Sequence, residues 1–392
     1  MQKLKTMDDV PLDGKRVLVR VDFNVTVGKD GIVDQYEDYR LEAALPTLQE
    51  LQRRRCKIVL LTHLGSSEDE SGDFGLGPIA RRLSELLRDE VRQLKHLYGR
   101  EVDVAVSGME RGGVVLLPNV RLDEREEAGS EKFAAELAEV ADAYVNEAFS
   151  VSHRDHSSVV LVPRLLPSCA GRRTALEYGV LQRLRDLPEH PYVAIMSGSK
   201  VHTKVSLLSQ LLRQVDCLCL GGRLANVVLA ALGKRTSEHY GAKDMAVAAR
   251  LLQEGREKIV LPRDVVIGPE SVEDGEATVV SVEELPRDGL GIWDIGPASV
   301  DHCLSVCRSA KTIMWNGPVG KFEVPAYALG TRQLARGLAS LSALRVVGGG
   351  DTAHALELYH LVDKFDHVSV GGGAMVTMLE GSRMPGLEPL YA

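Results

Sequence analysis

The 392-residue sequence has no apolar stretch long enough to cross a bilayer. Its first ten residues carry charges and no apolar run of signal-peptide length follows them, so a cytosolic protein is expected. A basic surplus is also missing. Lys and Arg number 47 against 55 Asp and Glu, for a net charge of −8, which argues against a general nucleic-acid binder. Any anion site must then be built locally from a few Arg, Lys and His. The six cysteines, Cys56, Cys169, Cys217, Cys219, Cys303 and Cys307, do not take the paired C-x-x-C spacing of a zinc ribbon. Buried, reduced thiols are expected of them. There is no repeat of solenoid length and no low-complexity tail.

What is present is the composition of an ordinary folded enzyme, 44% hydrophobic and 26% charged. A single core stops growing below this length, so two domains are the default. Short apolar runs occur at 16–21, 57–61, 114–117 and 143–145, and again at 192–196, 217–220, 258–261, 312–315, 344–347 and 368–370. They alternate with longer helical patterns. That alternation predicts strand–helix–strand units with a parallel sheet in each half, an α/β fold class. Between the halves, a pattern through Leu176, Val180, Leu181 and Leu184 ends at Pro188 and Pro191, as a single rigid helical connector would. The expected divisions are a first domain over 1–170, a helix and linker over 171–190, and a second domain over 191–378. The acidic run 68–73 reads as a solvated loop.

The densest chemical signal is GGGDT at 348–352, where an apolar run stops at three residues without side chains and a helical pattern begins. Backbone N–H groups at such a helix start can approach a phosphate and carry its charge. Asp351 and Thr352 sit where a metal ion or a phosphate oxygen could be held. A second strand-to-glycine turn, GGGA at 371–374, follows about twenty residues later. Two such cradles point to phosphoryl transfer. After the run 192–196 comes SGSKVHTK, with Lys200 and Lys204 one helical turn apart and able to face one anion. The spacing is not that of a Walker A loop. Gly221 and Gly222, and the loop WNGPVGKFE at 315–323, are further turns of the same kind.

In the first half, polar residues gather after the apolar runs, where open parallel sheets hold ligands. Asp22 and Asn24 follow the first run, His63 and Gly65 the second, and Asn119 and Arg121 the third. Asn146, Glu147, His153, Arg154 and His156 follow the fourth, and Arg40 precedes a helical pattern. Arg40, Arg121, Arg154 and His63 together would make a positive cup for a small polyanion, since guanidinium groups grip phosphate and carboxylate through paired hydrogen bonds. Singly, each arginine is an ordinary surface residue. His153 and His156 read equally as structural histidines, and their spacing lacks the helical context and acidic third ligand of a metal pair. No nucleophile–base pair stands out.

The motifs RVDFNV at 20–25, HLG at 63–65, NVR at 119–121, HRDH at 153–156, GSKVHTK at 198–204, DIGP at 294–297, WNGPVGKFE, GGGDT and GGGA run in that order. Through them the chain resembles the phosphoglycerate kinases over nearly its whole length. The resemblance implies two Rossmann-like parallel-sheet domains joined by a hinge helix, with residues 379–392 returning to the first domain. It also implies reversible phosphoryl transfer between 1,3-bisphosphoglycerate and ADP, giving 3-phosphoglycerate and ATP, a step of glycolysis and gluconeogenesis. The substrate residues it implies are Asp22, Phe23, Asn24, Arg40, His63, Leu64, Gly65, Ser66, Arg121 and Arg154. For the nucleotide it implies Gly198, Ser199, Lys200, Lys204, Asn316, Glu323, Gly349, Gly350, Asp351 and Thr352. Glu323 would hold ribose hydroxyls and Asp351 would face Mg2+. Arg40, Lys204 and the N–H groups of Gly372 and Gly373 are assigned to the moving phosphoryl group, transferred in line as the hinge closes. The acceptor carboxylate is already ionised at neutral pH, so no general base is needed. The expected partners are these small molecules alone, with no nucleic acid and no membrane, and the chain is expected to be a cytoplasmic monomer.

Several positions depart from the family pattern. Ser66 stands where an Arg usually follows HLG, Pro118 replaces a Glu, and Glu147 an Asp. Arg223 replaces a third glycine beside the expected adenine pocket, Lys321 an apolar residue, and Val370 a Thr at the expected hinge. Three readings follow: an active phosphoglycerate kinase, a kinase for another carboxylated phosphate ester, and a non-catalytic nucleotide-binding protein on the same fold.

Overall fold

The computed structural model describes residues 2–28, 31–33, 38–65, 75–198, 201–234, 236, 238–269, 277–285 and 290–392. Ser66, Ser199, Lys200 and the acidic run 68–73 lie outside the described residues. By compactness the chain divides into one unit of Met1–Leu181 with Ser382–Ala392, and a second of Gln182–Gly381.

In the first unit the strands are β1 (Arg16–Val21), β2 (Lys57–Leu61), β3 (Val91–Gln93), β4 (Val114–Leu116), β5 (Ala143–Glu147) and β6 (Ser168–Ala170), of which β1, β2, β4 and β5 are the four apolar runs and β3 and β6 are unexpected. All pair in parallel, in the order β3-β4-β2-β1-β5-β6. β1 is buried on both faces, as a helix-covered parallel sheet requires. Val17, Val19 and Val21 enter one core with Leu48, Ile58 and Leu60. Leu18 points to the opposite core with Val59, Phe133 and Tyr144. Strand periodicity puts Arg20 on the Leu18 face, where it is 1% exposed. From β1 the chain builds β2 to β4 on one side and then crosses to place β5 on the other. The switch point lies between β1 and β5, and ligands bind at such points. At the end of the chain, Lys5 N–H donates to Leu390 O (2.8 Å) and Ala392 N–H to Lys3 O (2.9 Å).

The second unit holds β7 (Tyr192–Met196), β8 (Cys217–Leu220), β9 (Ile259–Val260), β10 (Asp264–Gly268), β11 (Thr278–Ser281), β12 (Gly291–Ile295), β13 (Thr312–Asn316), β14 (Leu344–Gly348) and β15 (His367–Val368). Six of them make a parallel sheet in the order β15-β14-β13-β7-β8-β9, with its switch point between β7 and β13. β10, β11 and β12 form a separate antiparallel sheet that the alternating pattern does not predict. It has its own small core of Leu229, Val265, Ile267, Val282 and Leu285. The helix Arg172–Asp186 runs across the division between the units. Among the described residues no helix is long and apolar enough to cross a membrane.

Candidate active site

At the first switch point, the residue after β1 is Asp22. It accepts hydrogen bonds from Arg40 Nη1 (2.8 Å), the Ser150 hydroxyl (2.6 Å) and Asn24 N–H (3.2 Å). The Asn24 side chain accepts from Gly65 N–H (2.9 Å), so the loop after β1 fixes the loop after β2. Asn119, after β4, holds the same loop from beyond. Its Oδ1 accepts from Leu64 N–H (3.2 Å) and Arg121 N–H (3.1 Å), and its Nδ2 donates to Leu64 O (2.9 Å). Arg121 Nη1 donates to Gly65 O, and Arg121 Nε lies 3.2 Å from Glu127 Oε1.

Beneath this rim Arg20 donates to Ser158 Oγ (3.0 Å) and Val21 O (2.7 Å), and Ser158 in turn donates to the buried Glu126 (2.6 Å). Arg20 Nη1 and Nη2 also lie 3.4 and 3.3 Å from His63 Nδ1. A guanidinium only donates, so His63 Nδ1 is the acceptor and its proton sits on Nε2, 4.0 Å from Asp22 Oδ1. His63 is therefore neutral. Burial and the Arg20 charge push it down to about 3, against the pull of Asp22 and with added repulsion from Arg121 and Arg154. Burial works to raise the Asp22 carboxyl, but the neighbouring His63 and Arg40 and the hydrogen bonds of Ser150 and Asn24 hold it below the usual carboxylate range. With His63 neutral, Arg40 is the cation that keeps Asp22 ionised. Burial, then Arg154, also lowers the pKa of Arg121. Crowded positive charges of this kind favour an anion.

At the second switch point Lys204 Nζ donates to Ser197 O (2.5 Å), after β7, and to Asn316 Oδ1 (3.0 Å), at the end of β13. Burial lowers the Lys204 pKa while the charge of Asp351 raises it. Gly317 follows with φ +94°, and a Cβ there would sit 2.5 Å from Ser197 O, so only glycine allows the two loops to meet. Gly317 N–H donates to Thr352 Oγ1 (2.8 Å), which binds the loop after β13 to the helix Gly350–Leu358 after β14. Asp351 and Gly350 are in the first turn of that helix, where backbone N–H groups remain for an anion.

The family model described as phosphoglycerate kinase matches residues 7–382. The chain belongs to the phosphoglycerate kinase family. The phosphoglycerate kinase of Dictyoglomus turgidum is 38% identical over 387 residues, covering 97% of each chain. That of Aquifex aeolicus is 40% identical over 396 residues, covering 100% of this chain and 99% of the relative. A solved phosphoglycerate kinase from Coxiella burnetii superposes with TM-score 0.85 at 34% identity, covering 99% of this chain and 98% of that one. The Pyrococcus horikoshii phosphoglycerate kinase gives 0.88 at 28%, covering 100% and 98%.

Against this family frame, Asp22, Asn24, Arg40, Gly65 and Arg121 are joined in one hydrogen-bonded group, with His63 Nε2 4.0 Å from Asp22 Oδ1. Arg154 is exposed and acts on His63 and Arg121 through its charge. The Phe23 ring and Leu64 side chain are buried in the core, leaving their backbone to the site. Lys204, Asn316, Thr352 and Asp351 gather at the second switch point, with Gly198 and Gly349 in the adjoining turns. Glu323 is exposed on the loop after β13, and Gly372 and Gly373 are exposed at the start of the helix Gly373–Leu379.

Sequence reasoning missed Arg20, Ser150, Ser158, Glu126 and Ser197. For Arg20 a signal existed: a charge in the middle of an apolar strand must find buried partners. The departures have local partners too. Arg223 pairs with Glu238 and lies 3.5 Å from Asp244, with its guanidinium 5.3 Å from the Tyr240 ring centre. Lys321 Nζ stands 4.9 Å from the Trp293 ring centre. Pro118 and Val370 are half-buried, and nothing in the structure explains either substitution.

Proposed function

We propose that the chain transfers a phosphoryl group between 1,3-bisphosphoglycerate and ADP, forming 3-phosphoglycerate and ATP. The reading is carried by the crowding of Arg20, Arg121 and Arg154 around a neutral His63, beside the Arg40–Asp22 pair. Such a cup suits a ligand with a phosphate and a carboxylate, and family membership narrows that ligand to phosphoglycerate. Residues 1–170 would bind it, 191–378 the nucleotide, with 171–190 as hinge helix and 379–392 belonging to the first domain.

The attacking carboxylate needs no base, so these residues act by charge and position. Arg40 is the cation facing the acceptor side. Its bond to Asp22 fixes its direction, and Ser150 fixes Asp22. On the donor side Lys204 faces the moving phosphoryl group, held by Ser197 O and Asn316. The N–H groups of Gly372 and Gly373 add uncharged donors. Because acceptor and donor are bound by different domains, transfer requires a closure that also excludes water.

Asp351 is the residue that would hold Mg2+. Among the described residues no cluster of three or more His, Cys, Asp or Glu could bind a metal, which fits an ion held largely by nucleotide phosphates and one protein carboxylate. When bound, that ion supplies neutralisation of phosphate charge. The enzyme is proposed to be a cytoplasmic monomer. Nothing favours the two alternative readings raised by the departures.

The test is a coupled assay of ATP formation from 1,3-bisphosphoglycerate and ADP by the purified chain. Turnover is expected; nucleotide binding without ATP formation at any enzyme concentration would overturn the reading.

A further inference from the structure

Glu147 is a carboxylate that phosphoryl transfer does not use. It ends β5 and is buried. Its Oε1 accepts from the Thr47 hydroxyl (2.5 Å) and Arg173 N–H (3.0 Å), and its Oε2 from Thr174 N–H (3.2 Å). Thr47 Oγ1 in turn accepts from Arg172 N–H (2.7 Å). Thr47 and Glu147 thus take the first three N–H groups of the helix Arg172–Asp186, which would otherwise lack partners. The fit is close. A Cβ on Gly171 would lie 2.2 Å from Glu147 Oε2.

Both supports of the Arg40–Asp22 pair lead to this carboxylate. Arg40 is on the short helix Tyr39–Glu42, where Leu41 O accepts from Ala44 N–H (3.1 Å), and Ala44 O in turn accepts from Thr47 N–H (3.1 Å) and Leu48 N–H (3.1 Å). Ala44, the N-cap of the helix Leu45–Arg53 that carries Thr47, therefore joins that helix to the turn that carries Arg40. On the other side, β5 continues from Glu147 through Ala148 to Ser150, whose hydroxyl holds Asp22. Glu147 is thus connected to the supports of both partners of the ion pair.

We propose that Glu147 is a positioning residue for phosphoryl transfer: with Thr47 it holds the Arg40 helix and the Ser150 loop in register with the first turn of the helix Arg172–Asp186. The inference rests on the function proposed above. The side chain, its threonine partner and the glycine that makes room for it form one fitted set.

The experiment compares the parent with Thr47→Val, Glu147→Gln and Glu147→Ala, using Glu177→Gln as control. Thr47→Val keeps the shape but can neither donate to Glu147 nor accept from Arg172. Glu177 is buried in the same helix and pairs with Arg173 (2.8 Å). Thr47→Val and Glu147→Ala are expected to lower kcat about tenfold to a hundredfold, as small misplacements of charge do. The ADP KM should stay within about twofold. Glu147→Gln, with one acceptor left, should retain more activity than Glu147→Ala. Glu177→Gln should lower the melting temperature with kcat within about twofold of the parent. The inference is overturned if Thr47→Val and Glu147→Gln keep the parent's kcat, or if Glu177→Gln loses as much as they do. Should the Glu147 variants not fold, Thr47→Val decides. A parent that makes no ATP overturns the functional reading and this inference with it, whereas an active parent with unaffected variants overturns the inference alone.

Discussion

Lys204 holds its charge where burial works against it, with Ser197 O and Asn316 Oδ1 as neutral acceptors and the charge of Asp351 nearby. An ammonium so placed is maintained for a developing negative charge. Lys204→Ala is expected to lower kcat by about 10²–10³-fold in the coupled assay, with an unchanged thermal melt. Ser66 gives the opposite expectation. Ser66→Arg restores a cation after HLG, and one charge-assisted hydrogen bond is worth roughly 1.5–3 kcal/mol. The KM for 3-phosphoglycerate should fall by about one to two powers of ten. An unchanged KM would mean that Arg20, Arg121 and Arg154 already supply enough charge. At this scale the sequence reveals residues whose role follows from place. Asp22, His63 and Arg121 were legible because each follows an apolar run. Ser150 and Ser158 were not, because their partners Asp22 and Arg20 lie 128 and 138 residues away. A serine carries no trace of such a partner in its own neighbourhood.

Among the elements, the antiparallel sheet β10–β12 shows the limit of pattern reading. β11 is only four residues, half of them exposed, so neither a buried run nor a clean alternation marks it. β3 and β6, at three residues each, are too short for a run or an alternation to show. Pairing direction is also invisible locally, since it depends on which strand lies alongside. What fixes this sheet to the unit can be tested. Asp264, the first residue of β10, accepts from Ser299 N–H (2.7 Å) and Ala298 N–H (3.1 Å), and the Ser299 hydroxyl returns to Asp264 O (2.6 Å). A strand residue thereby caps the first turn of the helix Pro297–Cys307. Asp264→Ala should reduce stability by about 1–2 kcal/mol in urea unfolding. An unchanged midpoint would show that the Ser299 hydroxyl and packing suffice.

For the whole molecule, two sets of buried groups set opposite pH dependences. Burial pushes Glu147 and Asp294 up to about 7, against the hydrogen bonds from Thr47 and Gly330 that favour the ions. The folded state therefore keeps protons that the unfolded chain has lost, and stability falls as pH rises from about 4 to about 7. Each group contributes at most about 3–4 kcal/mol to that fall. The histidines act the other way. Burial pushes His63 down to about 3 and His156 to about 4. The unfolded chain binds the protons instead, so stability falls as pH drops through about 6.5. With comparable contributions of opposite sign, the parent's melting temperature should change little between pH 5 and 7. Below that range Glu50 and Asp142, held ionised chiefly by their hydrogen bonds to Arg172 and Arg16, lose their partners' help as they protonate. Replacing both raised carboxyls, in Glu147→Gln with Asp294→Asn, removes one side of the balance. Whatever its absolute stability, that double variant should melt at a higher temperature at pH 7 than at pH 5. Scanning fluorimetry across that range decides the matter, and a profile as flat as the parent's would show that these two carboxyls stay ionised in the folded protein.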